Sequence, residues 1–224
     1  MHEWPVCPCG AKEILLLYEM FDKATFVAIH GNLEEGQGSN MHEISLGYTI
    51  EDYLSGRQVE ATTYEDIRQA IVKMLVERKG YPLRNLKTKV RVRYPIDGHD
   101  FTGILDLVVY SDSGDPLLAL VFCAGEVETY TRQTVAGARL HPGGPVKLAV
   151  VTDTQKALLL QVADGTLLKE SGYQALPVWS RLQELAAGVP SHDLTPERQK
   201  VEERLFYAFS QLSCSCSDQT CEPG

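Results

Sequence analysis

The chain has 224 residues, of which 44% are hydrophobic and 23% are charged, a composition ordinary for one globular domain with appendages. Its formal net charge of −9 argues against broad, sequence-independent nucleic-acid binding, since such binding would need a local basic patch acting against a repulsive overall field. The sequence contains no run of about 18 apolar residues, so we expect no segment that spans a membrane. The start, "MHEWPVCPCG", lacks the basic and apolar regions of a signal peptide, so we expect a cytoplasmic protein.

The most regular segment is a helix that begins at Thr62 or Thr63 as its N-cap. The helix has acids in its first turn and two cations, Arg78 and Lys79, in its last turn. These charges stabilise the helix, because they are opposite in sign to the dipole charges at its two ends. Gly80 is the expected stop, because glycine readily adopts the left-handed conformation that closes many helices. The predicted apolar stripe consists of Ile67, Ala70, Ile71, Met74 and Leu75.

Strands and helices follow this helix. The basic and apolar alternation of "LKTKVRVRYPI" predicts a half-exposed strand, and residues 103–125 predict a β-hairpin. A helix is predicted over Glu126–Leu140, and two strands are predicted around a turn near Asp153. The C-terminal part is predicted to be helical, with Thr195 as an N-cap and Pro196 as the first helical residue. The order β-ββ-α-ββ, flanked by helices, indicates a mixed α/β domain.

One acid in the hairpin, Asp106, requires an explanation. It lies within an apolar run, where an unpaired carboxylate is costly to bury, and the second run, "PLLALVFCAG", contains no charged residue. Asp106 either accepts hydrogen bonds from the backbone, Arg68 or Arg132, or it is the remnant of a metal site. The residues alone leave both interpretations open.

Several motifs occur together around this hairpin. They are Asp52-Tyr53, the T-x-x-E/D-x-x-R-Q start of the helix, Gly80-Tyr81-Pro82, "DLVVY", and Gln133 in the next helix. On these motifs the segment from about Glu51 to about Gly165 resembles the N-terminal domain of type I restriction enzyme R subunits. The resemblance implies a restriction-endonuclease-like fold of the PD-(D/E)xK class, with a mixed β-sheet core flanked by helices. The helical pattern beyond it predicts a helical C-terminal extension to this core.

The same resemblance implies where a nuclease site would lie. In that family a strand aspartate and a following E-x-K bind Mg²⁺ and activate water for phosphodiester hydrolysis. Asp106 matches the aspartate, Glu65 matches an acid on the first helix, and Gln133 matches a family glutamine. These three residues would form a vestigial site that could hold Mg²⁺ at Asp106 weakly.

The E-x-K motif itself is missing from the second strand of the hairpin. Aligning "ALVFCAG" with the motif places Val121 and Cys123, or Phe122 and Ala124, at the Glu and Lys positions. The basic residue expected just before Asp106 is also missing. We therefore expect little hydrolysis and predict a catalytically degraded relative; if the protein is an enzyme, it is an Mg²⁺-dependent endodeoxyribonuclease.

Two alternatives concern the acids. Glu65 also fits an ordinary role in stabilising the helix dipole. The chemistry could have moved to Glu126 or Glu128, with Lys147 or Lys156 swinging inward, although "AGEVETYTRQ" fits a solvated acidic helix start better.

Basic residues suggest a nucleic-acid contact. Lys87, Lys89, Arg91 and Arg93 alternate along one face of their strand, and Arg132 could contact a DNA backbone from the following helix. An equally good explanation is an edge strand that positive charge protects against aggregation.

The cysteines suggest a third function. Cys7, Cys9, Cys214 and Cys216 could form a four-thiolate Zn²⁺ site if the chain ends meet, although C-x-C is a weak zinc signal and reduced, flexible tails are the simpler interpretation. Cys123 fits a small buried hydrophobe better than a nucleophile.

The predicted organisation has four parts. They are an N-terminal segment with the C-x-C and a strand (1–50), a restriction-endonuclease-like core (51–170), a helical extension (171–212) and a Cys-rich tail expected to be flexible (213–224). The leading hypothesis is a non-catalytic module that binds DNA or a protein partner. A residual nuclease with a relocated acid, and a zinc-binding protein, are the alternatives. The sequence has no phosphate-binding glycine motif, so we expect no nucleotide cofactor.

Overall fold

A computed structural model of the protein describes residues 44–123, 126–172, 175–190 and 193–212. The strand expected in "ATFVAIHGN" and the four cysteines of the predicted zinc site lie outside these residues. The described elements, in chain order, are β1 (Ser45–Glu51), β2 (Gln58–Thr62), α1 (Thr63–Lys79), β3 (Leu86–Ile96), β4 (His99–Tyr110), β5 (Pro116–Phe122), α2 (Val127–Arg139), β6 (Leu148–Thr152), β7 (Ala157–Gln161), β8 (Leu167–Ser171), α3 (Trp179–Gly188) and α4 (Pro196–Leu212). A short 3₁₀ turn, Leu83–Asn85, precedes β3.

In the described part of the chain, the main sheet has six strands in the spatial order β3-β4-β5-β6-β7-β8. Only β5 and β6 pair in parallel among these described strands, and α2 makes the crossover between them. The other neighbours pair antiparallel, so β3 and β8 are the two edges of the sheet. The mixed α/β class predicted from the order of segments is confirmed.

Helices cover both faces of the sheet, and each face has its own apolar cluster. The α1 face joins Ile71 and Leu75 to Leu107, Leu118 and sheet residues further along, with α3 packed beside them. The α2 face joins residues of α2 and α4 to the opposite sides of the same strands. The core strands β5 and β6 are buried on both faces, as their nearly continuous apolar sequences require.

The helix predicted from Thr62 to Gly80 is confirmed at both ends. The Thr62 hydroxyl accepts a hydrogen bond from the Glu65 N–H at 3.0 Å, and Gly80 closes the helix with φ of +74°. The predicted apolar stripe is wrong at Ala70, which is exposed. The helix instead buries Glu65 and Arg68 in its first turns, a polar start that hydrophobic periodicity does not reveal.

Three strands have no counterpart among the predictions. β1 and β2 form a separate antiparallel ribbon beside α1, and β8 is a mostly exposed edge strand. In β1 and β8, exposure on both sides removes the two-residue alternation by which a half-buried strand is recognised. No described helix is both long enough and apolar enough to cross a membrane.

Candidate functional site

The first turns of α1 supply two buried charges of opposite sign. Glu65 is 3% exposed and Arg68 is 2% exposed, and their spacing of three residues places both side chains on the same face of the helix. An Arg68 Nη1–H donates to Oε2 of Glu65. The helix therefore presents an internally paired acid and base to the sheet.

Asp106 of β4 meets this pair from the sheet and is 6% exposed. Its Oδ2 accepts a hydrogen bond from the Phe122 N–H at 2.8 Å, and its Oδ1 lies 3.4 Å from Nη2 of Arg68. The Arg68 guanidinium thus lies between the carboxylates of Glu65 and Asp106. These contacts agree with the structural interpretation of Asp106, in which its carboxylate accepts hydrogen bonds from the backbone and from Arg68.

Lys89 of β3 completes the cluster, and sequence reasoning did not place it there. Its Nζ lies 2.7 Å from Oε2 of Glu65, although its side chain remains 45% exposed. The pairing between β3 and β4 is continuous in register on both sides of Lys89 and Asp106 but skips those two residues. Lys89 has φ of +51°, a left-handed conformation uncommon for a residue other than glycine. This local break in the ladder turns the lysine toward α1.

Gln69 connects the cluster to the loop before α1. Its Nε2–H₂ donates to Oε1 of Glu65 at 2.8 Å and to Oδ1 of Asp52 at 2.9 Å, and its own Oε1 accepts from the Tyr53 N–H at 2.8 Å. Burial acts to raise the pKa of Asp52, but hydrogen bonds from Ser55 and Gln69 outweigh it and hold that pKa below its ordinary value. The Asp52-Tyr53 motif and the helix start therefore belong to one hydrogen-bonded unit.

The strand opposite Asp106 contributes no charged group. Phe122 and Cys123 are each 7% exposed, and Val121 is half-buried. Burial raises the pKa of the Cys123 thiol to about 12, with further contributions from nearby carboxylates including Asp153 and Asp106. The thiol is therefore protonated near neutral pH and is neither a nucleophile nor a good metal ligand.

The donor set does not fit the Mg²⁺ ion that a PD-(D/E)xK site would hold. Glu65 and Asp106 are compensated by two cations of the same chain, Arg68 and Lys89. Within the described ranges, no group of three or more Asp, Glu, His or Cys side chains is arranged to hold a metal. Mg²⁺ needs several oxygen ligands and a net negative site, whereas the charges of these two acids and two cations sum to zero.

The predicted basic face on β3 is wrong in one respect. Leu86 packs in the cluster on the α1 face, whereas Val92 and Tyr94 pack in the cluster on the α2 face, so the strand changes faces at the irregular Lys89. Lys87 lies on the α2 side, with its Nζ 4.7 Å from the centre of the Tyr110 ring.

The other cations of this strand lie on the α1 side. Arg91 and Arg93 alternate with the buried Val92 and Tyr94 and are exposed. They continue along the strand from Lys89, away from the buried acids. β3 is an edge strand, as the charge-protection interpretation requires.

The remaining predicted residues lie on or near α2. Gln133 is half-buried and Arg132 is exposed on this helix, whose core residues pack on the opposite face of the sheet from α1. Their proposed roles stay predictions.

The acids considered as relocated ligands also lie near the start of α2. Glu128 accepts a hydrogen bond from Lys156, which lowers the pKa of Glu128, and Lys156 also pairs with Glu170 at 2.9 Å. Half of the Glu128 side chain is exposed. Lys147 donates from Nζ to the Val189 carbonyl at 3.3 Å. These contacts are those of a solvated surface.

A comparison with known protein families gives one match that includes the charged cluster. Residues 63–177, just over half of the chain, match the family described as the type I restriction enzyme R protein N terminus. The chain belongs to this family. The match contains the whole of α1, β3, β4, β5, α2 and β6, and therefore Glu65, Lys89 and Asp106. At the positions where the resemblance expects E-x-K, this chain carries Val121 and Cys123, or Phe122 and Ala124.

Comparisons with individual proteins add no information about the site residues. A solved structure of a candidate nuclease belonging to DUF820, from Anabaena variabilis, is similar over 67% of this chain and 89% of that chain, with 12% identity and a TM-score of 0.34. That likeness is too distant to place any residue. No curated protein matches the chain.

Proposed function

We propose that this type I R N-terminal domain is a non-catalytic module that binds the phosphate backbone of nucleic acids. The observation that supports a non-catalytic role is that cations of the same chain compensate the two acids of the site. Arg68 and Lys89 compensate Glu65 and Asp106, and the strand that should supply the E-x-K carries only apolar side chains there. Metal-assisted hydrolysis would need further oxygen ligands beside these two compensated acids.

The basic side of β3 supports the second half of the proposal. Arg91 and Arg93 are exposed, and none of the ion pairs among the described residues includes them. Residues two apart on a strand are separated by about 6.7 Å, so the two guanidinium groups form a row that can follow one phosphate backbone. Lys89 extends the row, with nearly half of its side chain exposed.

The charges set the expected strength of binding. Each neutralised phosphate on a duplex contributes about −0.9 to the slope of log affinity against log salt concentration, so two or three contacts give a slope of about −2 to −3. The net charge of −9 opposes association at long range. We therefore expect weak, sequence-independent and strongly salt-dependent binding.

Fluorescence anisotropy with a labelled DNA duplex tests the proposal. An Arg91→Ala/Arg93→Ala variant should lose about two units of the salt slope, while the matched control Arg181→Ala/Lys200→Ala, which removes two exposed cations elsewhere, should keep it. Equal slopes for the two variants would refute the assignment of the interface. Absence of binding to DNA and RNA at low salt would refute nucleic-acid binding and favour a protein partner.

One observation favours a second candidate, the residual nuclease. Lys89 brings to Glu65 an amine that β5 lacks, so an acid and an amine do meet near Asp106. Plasmid nicking with Mg²⁺ or Mn²⁺ distinguishes the candidates. We expect no nicking above that of an Asp106→Asn variant, and nicking that this substitution abolishes would establish the nuclease.

The zinc proposal has its own measurement. Metal analysis of protein purified without chelators, beside a Cys7→Ser/Cys9→Ser variant, should give about one Zn²⁺ per chain that the variant loses if the four thiolates form a site. Near-zero zinc in the parent protein would discard it.

A further inference from the structure

Among the described residues, only one side of the outer part of the β3–β4 hairpin is packed against another element. We call residues 91–102 the basic arm, since they include Arg91 and Arg93. The α1-side residues of the arm are exposed, whereas Val92 and Tyr94 on the other side are buried beside Phe206 of α4. A two-stranded ribbon is marginally stable by itself, so the arm depends on that one packed side.

Phe206 occupies a space shaped by two glycines. A Cβ atom added at Gly103 of β4 would lie 2.1 Å from Cε1 of the Phe206 ring, and one added at Gly137 of α2 would lie 2.8 Å from its Cε2. Phe206 is 2% exposed. The ring therefore fits between strand and helix only because both positions lack a side chain, and it holds α4, α2 and the base of the arm together.

Aromatic contacts extend from Phe206 along the arm. The ring centres of Tyr94 and Phe206 lie 5.3 Å apart, and Phe101 meets Tyr207 edge-on at 4.6 Å. Near the tip of the arm, Arg204 pairs with Asp97 at 3.1 Å. Three residues within about one turn of α4 thus contact the hairpin from its tip to the base of the arm.

About one turn before Phe206, α4 is fixed to the body of the domain by a buried ion pair. Glu202, which is fully buried, accepts from Arg139 of α2 at 2.6 Å, and Arg139 also donates to the Val162 and Ala163 carbonyls at 3.0 Å. Arg198 approaches the same Glu202 oxygen at 2.6 Å. The same helix is therefore fixed to α2 and in contact with the arm.

From these contacts we infer that α4 is a brace that fixes the direction of the basic arm, and that Phe206 is its positioning residue. The inference rests on the proposed function, because the arm matters for binding only if Arg91 and Arg93 meet phosphates. Loss of the brace should weaken nucleic-acid binding while every arm cation remains in place.

Amide hydrogen exchange and duplex binding test the brace in the full chain. A Phe206→Ala variant should exchange the amides of the arm about tenfold faster or more, leave those of β5 and β6 protected, and lose affinity toward that of the Arg91/Arg93 variant. Phe206→Leu should restore much of both properties, since it refills most of the space between the glycines. The control Val201→Ala changes an exposed position of α4 and should behave as the parent.

A second variant covers the case in which Phe206→Ala does not fold. Phe101→Ala removes the contact with Tyr207 from a partly exposed position and should loosen the outer arm alone. Faster exchange spread equally over the sheet, or a loosened arm with unchanged affinity, would overturn the positioning role. If the parent binds no nucleic acid, the proposed function fails, while the exchange pattern still decides whether α4 braces the arm.

Discussion

Replacing Arg68 by methionine tests the charge balance at the candidate site directly. Methionine keeps the unbranched apolar stem but removes the guanidinium that lies between Glu65 and Asp106. Glu65 keeps Lys89 at 2.7 Å and the Gln69 amide at 2.8 Å. Asp106 keeps the Phe122 N–H but loses the cation beside it. The substitution therefore leaves an under-compensated carboxylate at a position that is 6% exposed.

The expected loss of stability follows from burial. Removing one partner of a buried ion pair costs about 3–5 kcal/mol, and we expect the lower end here, about 3 kcal/mol, because Glu65 retains Lys89. Adding Asp106→Asn to the Arg68→Met variant removes the buried charge and keeps an oxygen that can accept from Phe122. This second change should recover about 1 kcal/mol or more, a coupling typical of residues in one network.

Urea unfolding followed by circular dichroism measures these free energies, with the slope m checked for constancy between variants. A loss below about 1 kcal/mol for Arg68→Met, or no recovery with Asp106→Asn, would refute the view that Arg68 compensates both acids.

Magnesium provides a second readout of the same reasoning. The parent protein should gain no stability from 10 mM Mg²⁺. Arg68→Met, in which the guanidinium no longer lies beside the two carboxylates, should gain about 1.4 kcal/mol if it binds Mg²⁺ with a dissociation constant near 1 mM. Similar stabilisation of the parent would show that the internal cations do not exclude the metal.

Two further predictions concern groups outside the site. Burial lowers the pKa of His141, whose Nε2 lies 2.9 Å from the Tyr110 hydroxyl, so its contribution to stability is present above about pH 6.5 and is lost as the pH falls through the folded-state pKa. A His141→Gln variant should therefore lose less stability than the parent between pH 7.5 and 5.5 in urea titrations, and equal losses would contradict this assignment. Because burial raises the pKa of Cys123 to about 12, that thiol should resist iodoacetamide at pH 8 until the protein unfolds, which peptide mass analysis measures; rapid labelling of the native protein at Cys123 would contradict it.

The sequence was sufficient to predict those features of the fold that depend on interactions between residues close together in the chain. The start of α1 follows from the Thr62 cap and its end from Gly80, since both signals act within one helical turn. The buried hairpin follows from two apolar runs and a polar turn. The absence of Glu and Lys from the expected E-x-K positions is also visible in the sequence, because both positions lie in the short stretch "ALVFCAG".

Other features depend on contacts between distant segments. No local pattern shows that Lys89 turns toward Glu65, since the turn arises from a left-handed residue and a skipped ladder pair between β3 and β4. Periodicity also predicted an apolar stripe on α1 that includes the exposed Ala70, because it does not show which polar side chains find buried partners on a neighbouring strand.

By itself the sequence determined the helices and strands of most of the core, its family resemblance and the absence of Glu and Lys from the expected E-x-K positions. Only the tertiary structure decided how the remaining charges are compensated and which way the basic side chains point. Helix ends and strand runs depend on neighbours a few residues away, whereas Arg68 and Asp106 are separated by 38 residues in the chain. Such a pair comes within 3.4 Å only after sheet and helix have packed, so its charge balance is a property of the folded domain.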